Sequence, residues 1–206
     1  MSSLPGPIGP GKALSLQVSG NEVEGDFVCG SKTDNSVTNN VVIKFGGIDV
    51  AVIIEIIKQI EDEVATGKKS NSLIGKFDHY YNYEHDKPLR SVEDKLSAGG
   101  RGSDAELHKA KEDKEYFRRT LDKFMFFKSA QKLFAHFLDY IYHEYHEKAY
   151  PLIKAGAPKE QVDAVIATAI VAPVAHALIA SDDFLGVSTA KGMLMFLTQK
   201  CIVDWD

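Results

Sequence analysis

The chain has 206 residues with a formal net charge of −5; 44% of its residues are hydrophobic and 26% are charged. This composition is typical of a soluble globular protein with one sizeable core. The mild acidity argues against direct binding to nucleic acid or to an anionic membrane, because both attract basic surfaces. Cys29 and Cys201 lie far apart without CxxC spacing, so neither a disulfide framework nor a zinc site is expected.

The sequence shows no leader segment and no apolar run of about 18 residues, so we expect a cytoplasmic protein without a membrane partner. No cofactor is expected either. Gly6 to Lys12 has the spacing of a phosphate-binding loop, but Pro7 and Pro10 lack the amide donors that such a loop needs. Ala13 also stands where the loop requires a hydroxyl for magnesium.

The N-terminal region divides into a tail and a repeat. Residues 1–15 are rich in glycine, proline and serine, which predicts a disordered tail. Residues 16–40 carry a five-residue repeat of the form Val-x-Gly-polar-x. This period fits neither a helix nor a plain strand, and glycine followed by a polar residue is a turn signal. A short β-like appendage of strands and bends is therefore predicted.

The repeat is about one turn of a coil in length, whereas stacked repeats usually need about three or more units to bury their faces. We therefore expect this segment to stack against its equivalent in other copies and to form a homo-oligomer. A glycine-rich linker is the alternative. The predicted oligomerisation residues are Val18, Gly20, Val23, Gly25, Asp26, Val28 and Gly30.

Residues 41–206 are predicted to form a mainly α-helical interaction domain. The apolar segment from Ile48 to Val64 is long enough to favour a helix, and Gly67 is its expected stop. An aromatic segment from Leu73 to Tyr83 follows. Further on, Pro158 can begin a helix, Pro173 predicts a kink within residues 161–180, and Ser188 is the expected cap of the last helix.

One long helix, either continuous or with a break, is predicted over residues 104–149, protruding from the core at its charged start. Ser103 and Glu106 have capping-box spacing at its beginning, neither proline nor glycine follows until Pro151, and Pro151 is taken as its end. The charged start is the expected partner surface. The predicted domain core consists of Phe127, Ala130, Phe134, Leu138, Met193, Phe196, Leu197, Cys201 and Trp205.

Residues with chemical potential are few, and each has a structural explanation. His143 and Glu147 share a helical face and suit a metal, and with the Asp182–Asp183 pair they suggest a small metal-dependent hydrolase or nuclease. The His-Glu-x-x-His order of a zinc protease is missing, so a helix interface is favoured. The glycine-rich loop at residues 99–102 suggests either a phosphate cradle or a flexible connector. The interleaved acidic and basic residues of 106–119 predict a solvated face with salt bridges.

Three segments resemble a known family: Lys128 to Ala135 (Lys-Ser-Ala-Gln-Lys-Leu-Phe-Ala), the helix from Lys111 to Phe124, and the ending from Gly192 to Trp205 with its Phe-Leu-Thr-x-x-Cys-x-x-x-Trp pattern. Together they resemble the C-terminal domain of ABC-three-component systems, which are bacterial anti-phage modules. The glycine repeat with Gly25 and Asp26 is similar to segments found in front of such domains.

The resemblance implies a non-catalytic domain that links an effector, often a nuclease, to a middle component and an ABC- or SMC-like ATPase. Two departures stand out. Family members often carry a histidine after the cysteine, where this chain has Ile202. The first 40 residues are also short for an effector domain, so either the effector is a separate chain or this protein is only the docking and assembly part. The resulting hypothesis is an assembly subunit that is not an enzyme, with a stand-alone structural homo-oligomer or a small hydrolase as alternatives.

Overall fold

The computed structural model describes residues 44–84, 90–179, 181 and 184–206. The chain divides into two units, Met1–Asn39 and Asn40–Asp206, and all described residues belong to the second. The predicted tail, the pentad repeat and its oligomerisation residues from Val18 to Gly30 lie outside the described residues, as do Asp182 and Asp183.

The described part is mainly α-helical, as the sequence predicts. Strands β1 (Lys44–Phe45) and β2 (Ile48–Asp49) form a two-residue antiparallel hairpin that pairs Phe45 with Ile48. The helices are α1 (Val50–Thr66), α2 (Gly75–Tyr81), α3 (Val92–Ala98), α4 (Asp104–Phe124), α5 (Lys128–Glu144), α6 (Tyr150–Lys154), α7 (Lys159–Val165), α8 (Ala172–Leu178) and α9 (Gly186–Gln199).

Helix α1 begins and ends on local signals. The Asp49 carboxylate accepts a hydrogen bond from the amide of Ala51 at 3.0 Å, which satisfies a donor that the first turn leaves unpaired. Gly67 ends the helix in the left-handed conformation with φ of 65°, as glycine does without a Cβ penalty. Helix α1 thus starts two residues later than predicted and stops at the predicted glycine.

The long helical stretch predicted over residues 104–149 has a break, which divides it between α4 and α5. The buried amide of Gln131 donates to the carbonyl of Met125 at 2.7 Å and accepts from the amide of Ile74 at 2.8 Å. The Glu63 carboxylate caps α5 by accepting from the amide of Ser129 at 3.0 Å. The Gln131 and Glu63 side chains thus satisfy the Met125 carbonyl and the Ser129 amide at the break, so no proline or glycine is needed there.

Neither Pro151 nor Pro173 ends a helical stretch. A π turn at Tyr145–Ala149 joins α5 to α6, and another at Ile166–Val171 joins α7 to α8. Pro173 has no amide to give the carbonyl four residues back, and the Tyr140 hydroxyl donates to that carbonyl, of Ala169, at 2.9 Å. The prediction of a helix end at Pro151 is therefore wrong, and the predicted kink at Pro173 takes the form of a π turn.

Helices α4 and α9 pack against each other most closely at Gly192. A Cβ atom there would lie 2.3 Å from the Asp113 carbonyl oxygen and 2.5 Å from the Phe117 Cβ, so only glycine permits this approach. The Phe117 ring also contacts Phe134 of α5 and Phe196 of α9, each at 5.7 Å between ring centroids. Helix α9 begins at Gly186 rather than at the predicted Ser188 cap.

One helical stretch, Lys159–Leu178, is long and apolar enough to cross a membrane when only length and composition are considered. This corrects the expectation that no such run exists. Half of its most apolar window is buried inside the domain, including Ile170, Val174 and Leu178, each with an exposed fraction of 0%. That burial is what the core helix of a packed domain shows.

Candidate docking groove

The C-terminal residues are held by a set of side chains that we call the C-terminal clasp: Lys95, Arg101, Tyr145, Thr198, Asp204 and Trp205. The Trp205 indole N–H donates to the Thr198 hydroxyl at 3.1 Å, and the Arg101 guanidinium lies 4.7 Å from the Trp205 ring centroid. The Tyr145 hydroxyl donates to the carbonyl of Asp204. Burial raises the pKa of Tyr145 above its usual range, so it stays a donor.

Lys95 is the most deeply buried charge of the clasp, with 1% of the residue exposed. Its ammonium group donates to the carbonyl of Thr198 at 2.6 Å and lies 3.4 Å from the Asp204 carboxylate. A buried charge is tolerated only when it is paired and hydrogen-bonded. The clasp therefore satisfies Lys95 and joins α3 to the end of α9 and to the C-terminal residues.

Beside the clasp lies a groove between α4, the stretch from α7 into its π turn, and α9, with a volume of about 500 Å³. We call it the docking groove. Its apolar lining comes from Leu96, Ala105, Ala110, Ile166, Ala167, Val171, Leu194, Met195 and Trp205. Its charged lining comes from Arg101, Glu106, Lys109, Asp113, Asp163 and Lys191. An apolar concave surface with a few polar groups at its edge is the usual form of a binding site.

Ion pairs between distant segments hold the groove walls together. The Arg101 guanidinium binds the Asp163 carboxylate at 2.6 Å, and Glu106 of α4 binds Lys159 of α7. Hydrogen bonds from Lys159 and Ser103 lower the pKa of Glu106 to about 2, so this carboxylate is ionised at neutral pH. The start of α4 is therefore tied to α7 and does not protrude as predicted.

The glycine-rich loop at residues 99–102, predicted as either a phosphate cradle or a flexible connector, is packed against α7 and the clasp. Arg101 is 7% exposed and is fixed by Asp163 and by Trp205. A Cβ at Gly99 would lie 2.6 Å from the carbonyl oxygen of Trp205, so this glycine lets the loop reach the clasp. No local sequence signal predicts this role, because Asp163 lies 62 residues from Arg101.

The predicted core residues lie within one hydrophobic cluster, with two exceptions. Seven of them are 6% exposed or less: Phe127, Ala130, Phe134, Leu138, Met193, Leu197 and Trp205. Phe196 is partly exposed and packs on that cluster. Cys201 is also partly exposed, which corrects the expectation that it is buried. It has a φ of 56° at the turn after α9, and this positive φ directs the chain back toward the clasp.

The predicted metal ligands His143 and Glu147 do not form an ion pair with each other in the part of the chain that the structure describes. His143 lies 3.8 Å from Asp139, which also binds Lys76 at 2.8 Å and the Tyr80 hydroxyl at 3.0 Å. Glu147 is exposed and forms no ion pair with a described residue. Among the described residues, no group of three or more His, Cys, Asp or Glu side chains is arranged to hold a metal ion.

The outer face of α4 carries paired charges. Arg118 binds Glu115 at 2.8 Å and Asp122 at 2.6 Å, and Arg119 binds Glu115 at 3.0 Å. Hydrogen bonds from the two arginines lower the pKa of Glu115 to about 2. This is the solvated, salt-bridged face that the interleaved sequence predicts, and such pairs contribute little to stability.

Comparison with known proteins gives one family. No curated protein and no solved structure matches the chain significantly. The family of C-terminal domain 9 of the ABC-three component (ABC-3C) systems matches residues 91–205. The matched segment begins at Ser91, whose hydroxyl caps α3, and it contains the clasp and the whole docking groove. Because this match covers more than half of the 206 residues, the chain belongs to the family of C-terminal domain 9 of the ABC-3C systems.

Proposed function

We propose that the chain is a non-catalytic assembly subunit of a bacterial anti-phage ABC-3C system. Its helical domain docks onto the middle component or the ABC- or SMC-like ATPase of the same system and links them to an effector. The observation that supports this most is the family match over residues 91–205. We place this assembly in the cytoplasm.

The structural roles of the residues in the three segments that resemble the family agree with this proposal. Gln131 and Gly192 fix helix–helix junctions, and Thr198 and Trp205 close the clasp. These residues serve the packing of the domain. The exposed side chains of the matched segment include Ala105, Lys109 and Ala167 of the docking groove. Together with the mostly buried apolar residues of the groove lining, they suit a surface for a partner protein.

Co-purification tests the proposed function. The tagged chain is expressed together with the ATPase, the middle component and the effector encoded beside it, and the complex is isolated under mild conditions. We expect the ATPase or the middle component to elute with the chain in a fixed ratio. A chain that elutes alone when all partners are soluble and expressed would contradict the docking role and favour the stand-alone homo-oligomer.

Homo-oligomerisation through residues 16–40 is a second part of the proposal, based on the pentad repeat. The mass of the purified assembly, measured by light scattering for the full chain and for a variant lacking residues 1–40, tests it. We expect the shortened chain to lose subunits. An unchanged subunit count would place the oligomer contact elsewhere or exclude it.

A further inference from the structure

The charges that line the docking groove are unequally satisfied. Arg101 pairs with Asp163 at 2.6 Å, and Lys109 pairs with Asp113 at 2.8 Å. Glu106 accepts a direct hydrogen bond from Lys159. Lys191 of α9 lines the same groove, and none of the described residues forms an ion pair or hydrogen bond with it. It is therefore the one groove charge without a partner among the described residues.

The surroundings of Lys191 favour an anionic group as its partner. The groove lining is mostly apolar, and Lys191 is itself partly buried, next in the groove to Leu194 and Met195 of its own helix. An ammonium group in partly desolvated surroundings is less well hydrated than one in free water, so it gains from an anion placed beside it. The other cations of the groove are already neutralised, so a bound anion is directed to Lys191.

The size and lining of the groove suit a segment of another protein chain. Its volume of about 500 Å³ lies within the range of binding clefts, roughly 300–1,000 Å³. Ala105 and Ala110 of α4 and Ala167 of the π turn form part of the lining, and these short side chains let another chain approach closely. Ile166 and Met195 are only 8% and 7% exposed, and they line the space between these alanines, which a large apolar side chain can enter.

We propose that the docking groove binds a segment of a partner protein that presents an apolar side chain beside a carboxylate. The apolar side chain occupies the space lined by Ile166, Leu194 and Met195, and the carboxylate pairs with the ammonium group of Lys191. This deepens the proposed function, on which it rests, because it names the surface and the chemistry through which the middle component or the ATPase docks.

Binding of the two purified, intact components to immobilised chain variants tests the proposal. Lys191→Glu is expected to weaken binding at least about tenfold, because a carboxylate then faces a carboxylate. Lys132→Glu, on the exposed face of α5 and outside the groove, is the matched control and is expected to bind as the original chain does. Circular dichroism and thermal unfolding verify that both variants are folded.

A second pair of variants tests the apolar part. Ala167→Leu fills the groove from an exposed position, and Ala164→Leu adds the same bulk one turn earlier, outside the lining. We expect only Ala167→Leu to weaken binding. Trp205 is the single tryptophan of the chain and lines the groove, so short overlapping peptides of the partner that lack tryptophan can be screened by its fluorescence.

The decisive result is charge exchange. A peptide that shifts Trp205 fluorescence is expected to lose binding to Lys191→Glu and to regain it when its own carboxylate is replaced by lysine. If the intact components bind all four variants equally, the groove is overturned and the docking function stands. If neither component binds the original chain, both proposals fall.

Discussion

The C-terminal clasp and the docking groove share Arg101 and Trp205. They differ in whether their polar groups have hydrogen-bond or ion-pair partners within the domain. In the clasp, the buried ammonium of Lys95 has two oxygen partners and the Trp205 indole has Thr198. In the groove, Lys191 has none among the described residues, although its surroundings are largely apolar. Polar groups that serve the fold are satisfied internally, whereas a group left without a partner at a concave surface is available to a ligand. Substitutions in the clasp should therefore cost stability, and substitutions in the groove should cost binding.

The largest stability loss is expected for Trp205→Ala in the clasp. Trp205 is 4% exposed, and truncating a buried aromatic side chain costs about 3–5 kcal/mol. Trp205→Phe is the control: it keeps a ring for Arg101 and Tyr145 to contact and loses the indole N–H, so it should cost less than half as much. Urea unfolding measures both. Equal losses would show that the hydrogen bond, rather than ring packing, holds the clasp.

Gly192→Ala should cost about 3 kcal/mol, the upper end of the usual overpacking range. The added methyl group meets backbone atoms of α4, the Asp113 carbonyl at 2.3 Å, which cannot rotate away as a flexible side chain can. Because α4 and α9 both line the groove, this change should also weaken partner binding.

Gly75→Ala is the matched control for Gly192→Ala. Gly75 lies at the start of α2 with nothing within 4 Å of an added Cβ, so alanine there should leave stability unchanged or raise it slightly. Thermal unfolding of the two variants compares them directly. A Gly192→Ala chain as stable as the original would mean that α4 and α9 separate without penalty, and the description of their junction would then be wrong.

Thr198→Val should cost about 1–2 kcal/mol, because it keeps the shape of the side chain and leaves the buried Trp205 indole N–H without an acceptor. Thr198 has an exposed fraction of 0%, so water cannot replace the lost oxygen. The same change made in the Trp205→Phe background should cost clearly less. If the loss is the same in both backgrounds, the Thr198–Trp205 hydrogen bond contributes nothing to the clasp.

Local signals in the sequence predicted the features that depend on neighbouring residues. The Gly67 stop and the Ser103–Glu106 capping box are both present, since each needs only a turn of chain. The start of α5 after the break is capped by Glu63, which lies 66 residues away from Ser129, and no periodicity shows such a partner. A segment with no proline or glycine therefore looks like one continuous helix in sequence, although tertiary contacts divide it.

The candidate site escaped prediction for the same reason. The resemblance located the family-like ending, and hydrophobicity located the residues around Phe134 and Leu197, because burial follows apolar character. The groove is formed by α4, the α7 π turn and α9, whose charges pair across the fold, as Arg101 does with Asp163. Lys191 differs from the other lysines of the chain only in where it lies, and its position depends on the close contact at Gly192.

The smallest stability effect, and the sharpest separation of the two regions, is expected for Lys191→Met. Methionine keeps the length and apolar stem of lysine and removes its charge. Since no described residue pairs with Lys191, stability should change by less than about 0.5 kcal/mol, as for surface sites without partners. Binding of the middle component or the ATPase should nevertheless fall, because the partner carboxylate loses its cation. A large loss of stability would mean that Lys191 supports the fold as Lys95 does, and the contrast between clasp and groove would then disappear.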